Sequence, residues 1–303
     1  MQRCARCRNA YLDPRPDEKS IGNAYSSYYT HNVELEREEF DAIGIVRKLR
    51  RLVSNSYTNW RYGTDFSPSH PYLALLLRSV PSLRQGLDVQ YRWLPKPAPG
   101  DKVLDVGCGN GAFLRAATEC GWEAFGADPD EMAIQRAKPH CKEARRGGIE
   151  AYSEMAGEFR AITLSHSIEH THDPVQVIRD AATLLHDDGL LYVDTPNIDS
   201  RGRFRFGPDW RGLEAPRHLV LFTTGGLEEV LRREGFVVEK RMRRTAVAPS
   251  IFCSSQMTAG KRGLADMPSR SVRLKALVWG LVSAVAPTSR LEFITLIARR
   301  SAR

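Results

Sequence analysis

The sequence predicts an α/β protein built on a doubly wound, mostly parallel sheet. Between about Asp101 and Thr195, short apolar runs typical of buried strands alternate with helical patterns. This alternation favours parallel strands, because the chain must cross back over the sheet between them, usually as a helix. A glycine-rich turn, Gly107–Gly111, joins the first run to the first helix. Sheets of this class bind ligands at such turns.

Each strand and helix of this segment has its own local signal. The strand candidates are KVLDVGC (102–108), EAFGAD (123–128), EARRGGI (143–149), FRAITLSHS (159–167) and GLLYVDTPN (189–197). The helix candidates are GAFLRAATECG (111–121), DEMAIQRAK (130–138) and DPVQVIRDAATLLHDDG (173–189). Gly121 suits the end of the first helix, whereas Asp173 and Pro174 suit the start of the third. A further helix (223–236) and two more strands (235–244 and 290–300) follow.

The first hundred residues differ in kind from the rest. They contain a cysteine pair, a tyrosine-rich stretch (24–31) and an amphipathic helical pattern near Glu34–Val53. The run PKPAPGD (95–101) is typical of a stiff linker. We therefore predict an accessory, mainly helical region over residues 1–100 and a main domain over 101–303, with a helical insertion at about 245–290.

Composition predicts a soluble, cytoplasmic protein. The 303 residues are 42% hydrophobic, enough for one sizeable core and a smaller accessory region. The first ten residues lack the apolar run of a signal peptide. The longest apolar stretch, Leu274–Ala286, includes Lys275 and is too short to span a bilayer. Six irregularly spaced cysteines do not suggest a disulfide framework.

Positive charge is concentrated at the end of the chain. The net charge is +8, but from Arg232 onward 15 Lys and Arg face 4 Asp and Glu, a net of +11 that leaves −3 for the rest. Such a basic segment could bind nucleic acid, an acidic membrane surface or an anionic substrate, or it could simply be a solvated face. In this segment the basic residues are not interleaved with aromatic residues as they are in RNA-binding sheets. We therefore expect no nucleic acid as a partner. The apolar stretch Leu274–Ala286 would either cover the substrate-binding site or make a peripheral membrane contact beside Arg270 and Arg273.

The glycine turn and a later acidic residue together predict a nucleotide-like ligand. The turn precedes a helix, whose first N–H groups are unpaired and carry a positive dipole end. Asp128 ends the second strand, where an acid commonly accepts hydrogen bonds from ribose hydroxyls. Read as G-x-G-x-x-A, Gly107, Gly109 and Ala112 suit a nicotinamide dinucleotide. S-adenosylmethionine is the other cofactor that fits.

A family resemblance favours the second cofactor. LDVGCGNGAFL (104–114) resembles the first motif of the class I S-adenosylmethionine-dependent methyltransferases, and the resemblance continues through residues 126–130, 164–197 and 210–236. Over about Lys102–Arg244 and the last strand, the chain is similar to the ubiquinone-methyltransferase-like branch, which is often found in glycan and natural-product pathways. The resemblance implies a Rossmann-like methyltransferase fold: a seven-stranded sheet with an antiparallel last strand.

The resemblance also implies a set of cofactor-binding residues at the ends of the first four strands. They are Asp105, Gly107, Cys108 and Gly109 in the first turn, Asp128 and Pro129 after the second strand, Gly148 and Ile149 after the third, and Ser165 and His166 after the fourth. The first turn would hold the methionine part, Asp128 the ribose and Pro129, Gly148 and Ile149 the adenine.

Methyl transfer needs alignment of the reactants and, for an acceptor of high pKa, a general base. Histidine is the usual base near neutral pH. His170 follows the fourth strand and His218 follows the fifth, so these two are the predicted catalytic residues. Glu169 would bind the acceptor, orient a neighbour or cap the next helix.

The segment Asn197–Arg217 is predicted to fold over the acceptor. It holds five arginines and three aromatic residues, and arginine pairs with carboxylate or phosphate. Arg203, Arg205 and Trp210 are the predicted substrate contacts. The expected acceptor is a small anionic molecule, such as a glycan precursor, a nucleotide-linked sugar or a natural-product intermediate. The alternatives are an NAD(P)-dependent Rossmann oxidoreductase and a nucleic-acid-modifying methyltransferase.

The cysteine pair has the spacing of a zinc knuckle. Cys4 and Cys7 supply two ligands, whereas a structural zinc site needs four. The stretch CARCRNAYLDPRP (4–16) resembles the second half of the small zinc ribbon that often precedes this methyltransferase branch. With the first half missing from the sequence, no metal is predicted.

Overall fold

A computed structural model describes residues 1–17, 20–25, 44–78, 81–260 and 268–301. Most of the tyrosine-rich stretch and residues 34–43 of the predicted helix Glu34–Val53 lie outside these described residues. The chain divides into two compact units. One unit combines Met1–Tyr28 with Leu164–Arg303, and the other is Tyr29–Thr163.

The strands form one large and one small sheet. They are β1 (Gln2–Arg3), β2 (Ala10–Tyr11), β3 (Lys102–Val106), β4 (Glu123–Asp128), β5 (Glu143–Arg146), β6 (Phe159–Ser165), β7 (Leu185–Pro196), β8 (Val220–Leu221), β9 (Phe236–Arg241) and β10 (Phe293–Arg300). The large sheet has the order β5-β4-β3-β6-β7-β10-β9. β3, β4 and β5 pair in parallel, whereas β10 is antiparallel to both β7 and β9. The predicted fold class is therefore confirmed.

The helices connect these strands and extend the N-terminal region. They are α1 (Gly44–Tyr62), α2 (Pro71–Arg78), α3 (Pro81–Gln90), α4 (Ala112–Glu119), α5 (Glu131–Ala137), α6 (Pro174–Leu184), α7 (Arg201–Phe206), α8 (Thr224–Arg233), α9 (Ala248–Ala259) and α10 (Arg270–Ala284). The helical character predicted for the N-terminal region is confirmed by α1, α2 and α3. The domain boundary near residue 100 stays a prediction.

The unit Tyr29–Thr163 joins three N-terminal helices to β3, β4 and β5. A buried carboxylate ties two of the helices together, since Asp88 Oδ1 on α3 accepts hydrogen bonds from the hydroxyls of Tyr57 (2.7 Å) and Tyr62 (2.6 Å) on α1. The strands β3 and β4 are buried over nearly their whole length. That burial is typical of a parallel sheet covered on both faces.

The other unit begins with a short hairpin that pairs with β8. Ala10 lies opposite Leu221, and Asn9 Oδ1 accepts the backbone N–H of Thr223 at 2.9 Å. This hydrogen bond fixes the hairpin at the start of α8. The predicted insertion at about 245–290 contains α9 and α10, while residues 261–267 lie outside the described residues.

The third predicted helix is shorter than the sequence suggested. Asp173 caps α6 as expected, because its carboxylate accepts the backbone N–H of Gln176 at 2.9 Å. The helix ends at Leu184, however, and Leu185 is extended and fully buried at the start of β7. Apolar burial in the sheet therefore overrides the helical pattern that extended to Gly189.

Within the part of the chain that the structure describes, no helix combines the length and the apolar character required to cross a membrane.

Candidate functional site

The glycine turn after β3 adopts the left-handed backbone that its sequence predicts. Gly107 has φ 79° and Gly109 has φ 53°, values that side chains with a Cβ rarely tolerate. The N–H groups of Gly107 and Cys108 both donate to the carbonyl of Ala127, at 2.8 and 3.0 Å. These bonds tie the turn to the end of β4. An added Cβ on Gly109 would meet no atom within 4 Å, so open space lies beside this backbone.

Asp128 supports the same turn from the end of β4. Its Oδ2 accepts the N–H of Gly109 and its Oδ1 accepts the N–H of Asp130, each at 2.9 Å. Burial raises the pKa of this carboxyl, and the two backbone hydrogen bonds oppose that shift. Asp128 is still partly exposed. A carboxylate held in this way can accept hydroxyl hydrogen bonds from a bound ribose.

Asp105 lies beneath the glycine turn, paired with Arg92. It is 1% exposed, and Arg92 Nη2 donates to its Oδ2 at 3.0 Å while Arg92 Nη1 contacts its Oδ1. The hydroxyl of Thr163 also donates to Oδ1 at 3.0 Å. Both carboxylate oxygens are thus engaged inside the protein. These contacts hold Asp105 at the end of β3, and its contact with the methionine part of the cofactor stays a prediction.

The other predicted cofactor residues of this unit lie nearby in the same layer of strand ends. Cys108 is buried against the surface of Gly126, and burial raises the pKa of its thiol well above the usual range. The N–H of Gly148 donates to Glu150 Oε1 at 2.7 Å, and the side chain of Ile149 is fully buried. Pro129 accepts a hydrogen bond from Arg146 through its carbonyl at 3.2 Å. Their contacts with an adenine remain a prediction.

A charged cluster lies in the unit that contains Leu164–Arg303, around the predicted residue His166. Its Nε2 is 3.3 Å from Asp194 Oδ2, and its Nδ1 is 3.5 Å from Glu169 Oε1. Arg244 contacts the same Asp194 carboxylate, and its Nη1 is 3.1 Å from His166 Nε2. The backbone of His166 has φ 54°. A strained histidine between two buried carboxylates is typical of a functional position.

Charge balance explains the protonation of this cluster. Asp194 and Glu169 are almost fully buried, and Arg244 alone does not neutralise two carboxylates. Burial lowers the pKa of His166, but the hydrogen bonds and charges of Asp194 and Glu169 outweigh it and raise that pKa to about 9. His166 is therefore an imidazolium at neutral pH. Ser165, half-buried beside it, ends β6.

The two predicted catalytic histidines are close neighbours. The rings of His170 and His218 are 4.8 Å apart between centroids and nearly perpendicular. His170 Nδ1 lies 3.1 Å from the carbonyl of Arg217, and His218 Nδ1 lies 2.8 Å from the carbonyl of Gly212. A carbonyl only accepts, so each Nδ1 carries the donated proton in the neutral ring. The lone pair of each neutral ring is then on Nε2.

Burial distinguishes the two rings. His218 is 4% exposed, whereas His170 is half-buried. Burial lowers the pKa of His218, and the nearby Glu169 opposes that shift. His218 is thus neutral at neutral pH. The half-buried ring of His170 is the one that a bound molecule can reach.

Glu169 links these histidines to the charged cluster. Its Oε2 accepts the hydroxyl hydrogen bond of Thr195 at 2.9 Å, while its buried Oε1 lies 3.5 Å from His166 Nδ1. Ligand atoms of Glu169, His170 and His218 all lie within 4.8 Å of one another. Two imidazoles and a carboxylate could hold a divalent cation. The same set can also accept and pass on a proton.

The arginine-rich segment is only partly available for a ligand. It folds into α7 and short 3₁₀ turns. Arg211 and Arg217 both form ion pairs with Glu214, at 2.6 and 2.5 Å. The guanidinium carbon of Arg205 is 5.6 Å from the ring centroid of Trp279, and the residue is exposed. Arg203 is half-buried, and its Nε has no hydrogen-bond partner among the described residues.

Trp210 is placed differently from the prediction. It is 2% exposed, belongs to a buried apolar cluster with Ile198 and Leu221, and donates its indole N–H to Glu292 Oε2 at 2.9 Å. A ring in this position packs in the core and does not stack on an acceptor. The prediction of Trp210 as a substrate contact is corrected accordingly.

Some residues of these clusters escaped the sequence analysis. Arg92 lies outside the stretches that carry the resemblance, and Asp194 and Arg244 lie within its range but were not singled out. Contacts between distant parts of the chain reveal all three. Asp194 had one usable signal, since it is an acidic residue inside the apolar strand GLLYVDTPN. A charge in such a strand is rarely buried without a partner.

Cys4 and Cys7 lie in the turn of the N-terminal hairpin. The N–H of Arg8 donates to the carbonyl of Cys4 at 3.0 Å, which closes the turn. Backbone hydrogen bonds from Cys7 and Arg6 lower the pKa of the Cys4 thiol. The pair lines an open cavity of about 670 Å³ with Asn9, Thr223 and Arg233.

Comparison with known proteins places this architecture in a family. A family model described as "Methyltransferase domain" matches residues 83–241. The "Ubiquinone biosynthesis O-methyltransferase" of Thiobacillus denitrificans is 30% identical over 151 residues, which cover 47% of this chain and 59% of that relative. The chain spans less than two thirds of the length of the curated relatives that it matches.

Solved structures share the fold at low identity. A chain of the complex between the Haloferax volcanii Trm112 methyltransferase activator and a methyltransferase has a TM-score of 0.52, with 15% identity over 72% of this chain and 90% of that chain. The [4+2]-cyclase SpnF has a TM-score of 0.50, with 18% identity over 85% of this chain and 96% of its own. These likenesses show the fold alone. The family match covers more than half of the chain, however, so the protein belongs to the methyltransferase-domain family, among the class I S-adenosylmethionine-dependent methyltransferases.

Proposed function

We propose that this methyltransferase transfers a methyl group to a hydroxyl oxygen of a small anionic acceptor, with His170 as the general base. The observation that carries the proposal is the histidine pair. His170 and His218 are 4.8 Å apart, each Nδ1 faces a backbone carbonyl, and the buried carboxylate of Glu169 lies beside both rings. This arrangement presents imidazole Nε2 lone pairs, which an alkyl transfer to oxygen requires of its base.

The residues of the glycine turn fit S-adenosylmethionine. The open space beside Gly109 lets a ligand approach the backbone, and Asp128 supplies a carboxylate at the end of the next strand. Gly107, Gly109 and Asp128 would hold the cofactor. When bound, it supplies an electrophilic methyl group on a sulfonium.

The protein's own contribution to the reaction is positioning and proton removal. His170 takes the proton from the acceptor hydroxyl onto Nε2, because its ring is half-buried and its Nδ1–H is held by the Arg217 carbonyl. His218 is a positioning residue that packs against the ring of His170. Glu169 places a buried carboxylate beside the ring that takes up the proton.

Two observations support an anionic hydroxyl acceptor. Arg203 has a buried Nε with no partner among the described residues, and Arg205 exposes a guanidinium on the same short helix. Arginine is well suited to carboxylate and phosphate groups. The curated relatives are named as O-methyltransferases, which supports oxygen as the methylated atom.

The proposal is tested by titration followed by a transfer assay. S-adenosylmethionine should bind in isothermal titration while NADH does not, and the reverse result would favour the oxidoreductase. Radiolabelled methyl transfer is then measured on phenolic carboxylates, nucleotide-linked sugars and RNA. Label on RNA alone would contradict the proposal. Adding EDTA separates the two chemistries of the histidine cluster, because a histidine base keeps its activity and a metal-dependent site loses it.

A further inference from the structure

The helix α10 exposes a continuous apolar stripe. Leu274, Leu277, Val278 and Leu281 lie on one side of the helix, and Val285 at its C-terminal cap continues the stripe. Each of these side chains is between 54% and 84% exposed. An apolar stripe of this kind on a protein surface marks a site of contact with a partner or a membrane.

The opposite side of α10 is the one that packs on the protein. Ala276 and Ser283 are buried, and a Cβ added to Gly280 would lie 2.9 Å from Pro249 of α9. The ring of Trp279 lies 5.6 Å from that of Phe252, also on α9. The helix is therefore anchored through its small and aromatic residues. Its leucine stripe is not needed to hold it in place.

The charges beside the stripe all have one sign. Arg270, Arg273 and Lys275 occupy the first two turns of α10, are exposed, and have no acidic residue on the helix to neutralise them. From Pro268 to Ser301 the sole acidic residue is Glu292, which is buried. Cations beside an exposed aliphatic stripe complement a surface that is apolar inside and negative outside.

We propose that α10 docks this protein on the surface of an anionic lipid membrane. The stripe enters the boundary between headgroups and acyl chains, and Arg270, Arg273 and Lys275 contact lipid phosphates. The charge favours lipid over a second copy of the chain, because each copy would bring the same three cations, and no acidic residue of α10, to the contact. The helix lies in the plane of the membrane, in agreement with its length of 15 residues.

The test is flotation of the full chain with phosphatidylglycerol–phosphatidylcholine vesicles and with pure phosphatidylcholine vesicles. The wild type should float with the anionic vesicles, and binding should weaken at least tenfold for Leu277→Ser/Leu281→Ser. Arg270→Gln/Arg273→Gln should weaken it comparably and reduce its salt dependence. Val237→Ser is the matched control, because Val237 is an equally exposed apolar residue on β9; this variant should float like the wild type.

Three results would overturn the proposal. Flotation of the wild type that is equal with both vesicle types, or absent with both, excludes recognition of anionic lipid. A wild-type dimer in light scattering that Leu277→Ser/Leu281→Ser converts to a monomer would assign the stripe to a second copy. The circular dichroism spectrum of each variant must match that of the wild type, which shows that the variant is folded. Flotation is measured without any methyl acceptor, so it does not depend on the proposed function.

Discussion

His170 and His218 stand edge to face, 4.8 Å between ring centroids, although they are 48 positions apart in the chain. His170 follows β6 in a short 3₁₀ turn, and His218 precedes β8. The N–H of Leu219 donates to the carbonyl of Glu169 at 2.8 Å, and this bond joins the two segments. The pairing of the histidines is therefore built by the backbone that surrounds them.

Replacing His170 with Ala should lower kcat by roughly 10²–10⁴-fold, the usual contribution of a general base. The KM for S-adenosylmethionine should stay near the wild-type value, because the proposal assigns cofactor binding to Gly107, Gly109 and Asp128 and not to His170. His218→Asn should reduce kcat less, since it removes the ring that packs against His170 and leaves the base itself in place. Steady-state kinetics of both variants provide the measurement.

The matched control for the base is His172→Asn. His172 follows in the same motif, but its Nε2 lies 3.1 Å from the carbonyl of Pro16 and is outside the cluster. It should retain nearly full activity. A His170→Ala enzyme with wild-type kcat would eliminate His170 as the base.

Replacing Gly109 with Val should abolish most of the affinity for S-adenosylmethionine. A β-branched side chain would fill the open space beside the turn and would be strained at φ 53°. Gly157→Val is the control, because Gly157 also has positive φ and open space but lies in the turn before β6. Both variants should lose about 1–2 kcal/mol of stability. Titration should show a loss of binding for Gly109→Val alone, and equal binding by both variants would rule out the turn as the cofactor site.

Asp128→Ala should weaken cofactor binding by at least about tenfold, or roughly 1.4 kcal/mol. The substitution removes a ribose acceptor and also leaves the Gly109 N–H without its support. Asp130→Ala is the control: it removes the cap of α5, where Asp130 accepts the Met132 N–H, and should cost about 1 kcal/mol of stability. Its cofactor affinity should be unchanged. An equal loss of affinity in both variants would mean that Asp128 acts only through the local fold.

The pKa of His166 predicts a pH dependence of stability. Since the folded pKa is raised to about 9, the imidazolium stabilises the fold fully below the unfolded pKa of about 6.5 and loses this effect as the pH rises through about 9. The effect is on the order of 1 kcal/mol, because His166 is partly exposed to solvent and screened. Urea denaturation of the wild type and His166→Gln at about pH 6 and pH 9.5 measures it. The gap between the two proteins should narrow at the higher pH; a gap that widens would reverse the assigned sign.

Arg203→Ala and Arg205→Ala should each raise the KM for an anionic acceptor several-fold with little change in cofactor affinity. Added salt should act in the same direction, because exposed charges are screened over roughly 10 Å at 0.1 M. Arg232→Ala, which removes an exposed charge on α8, controls for net charge. An acceptor whose KM ignores both arginines would show that α7 does not contact it.

Periodicity and turn chemistry were sufficient to predict the sheet. The runs KVLDVGC and EAFGAD form β3 and β4. Continuous apolar runs are typical of strands that are buried on both faces, as in a parallel sheet covered by helices. The end of α6 was wrong by a few residues, because helical periodicity did not reveal that Leu185 is buried in the sheet. Trp210 was misassigned for a related reason: nothing local indicates that its indole meets Glu292, 82 residues away.

By itself, the sequence determined the glycine turn, the cap of α6, the acid at the end of β4 and the histidines after β6. These features depend on backbone conformation and on the order of elements, which neighbouring residues control. Only the tertiary structure decided which charges meet. In the structure, Asp105 pairs with Arg92, and Asp194 pairs with Arg244 and His166. Glu169 lies beside the histidine pair. A buried charge must be matched by whatever partner the fold brings to it, and that partner can lie anywhere in the chain.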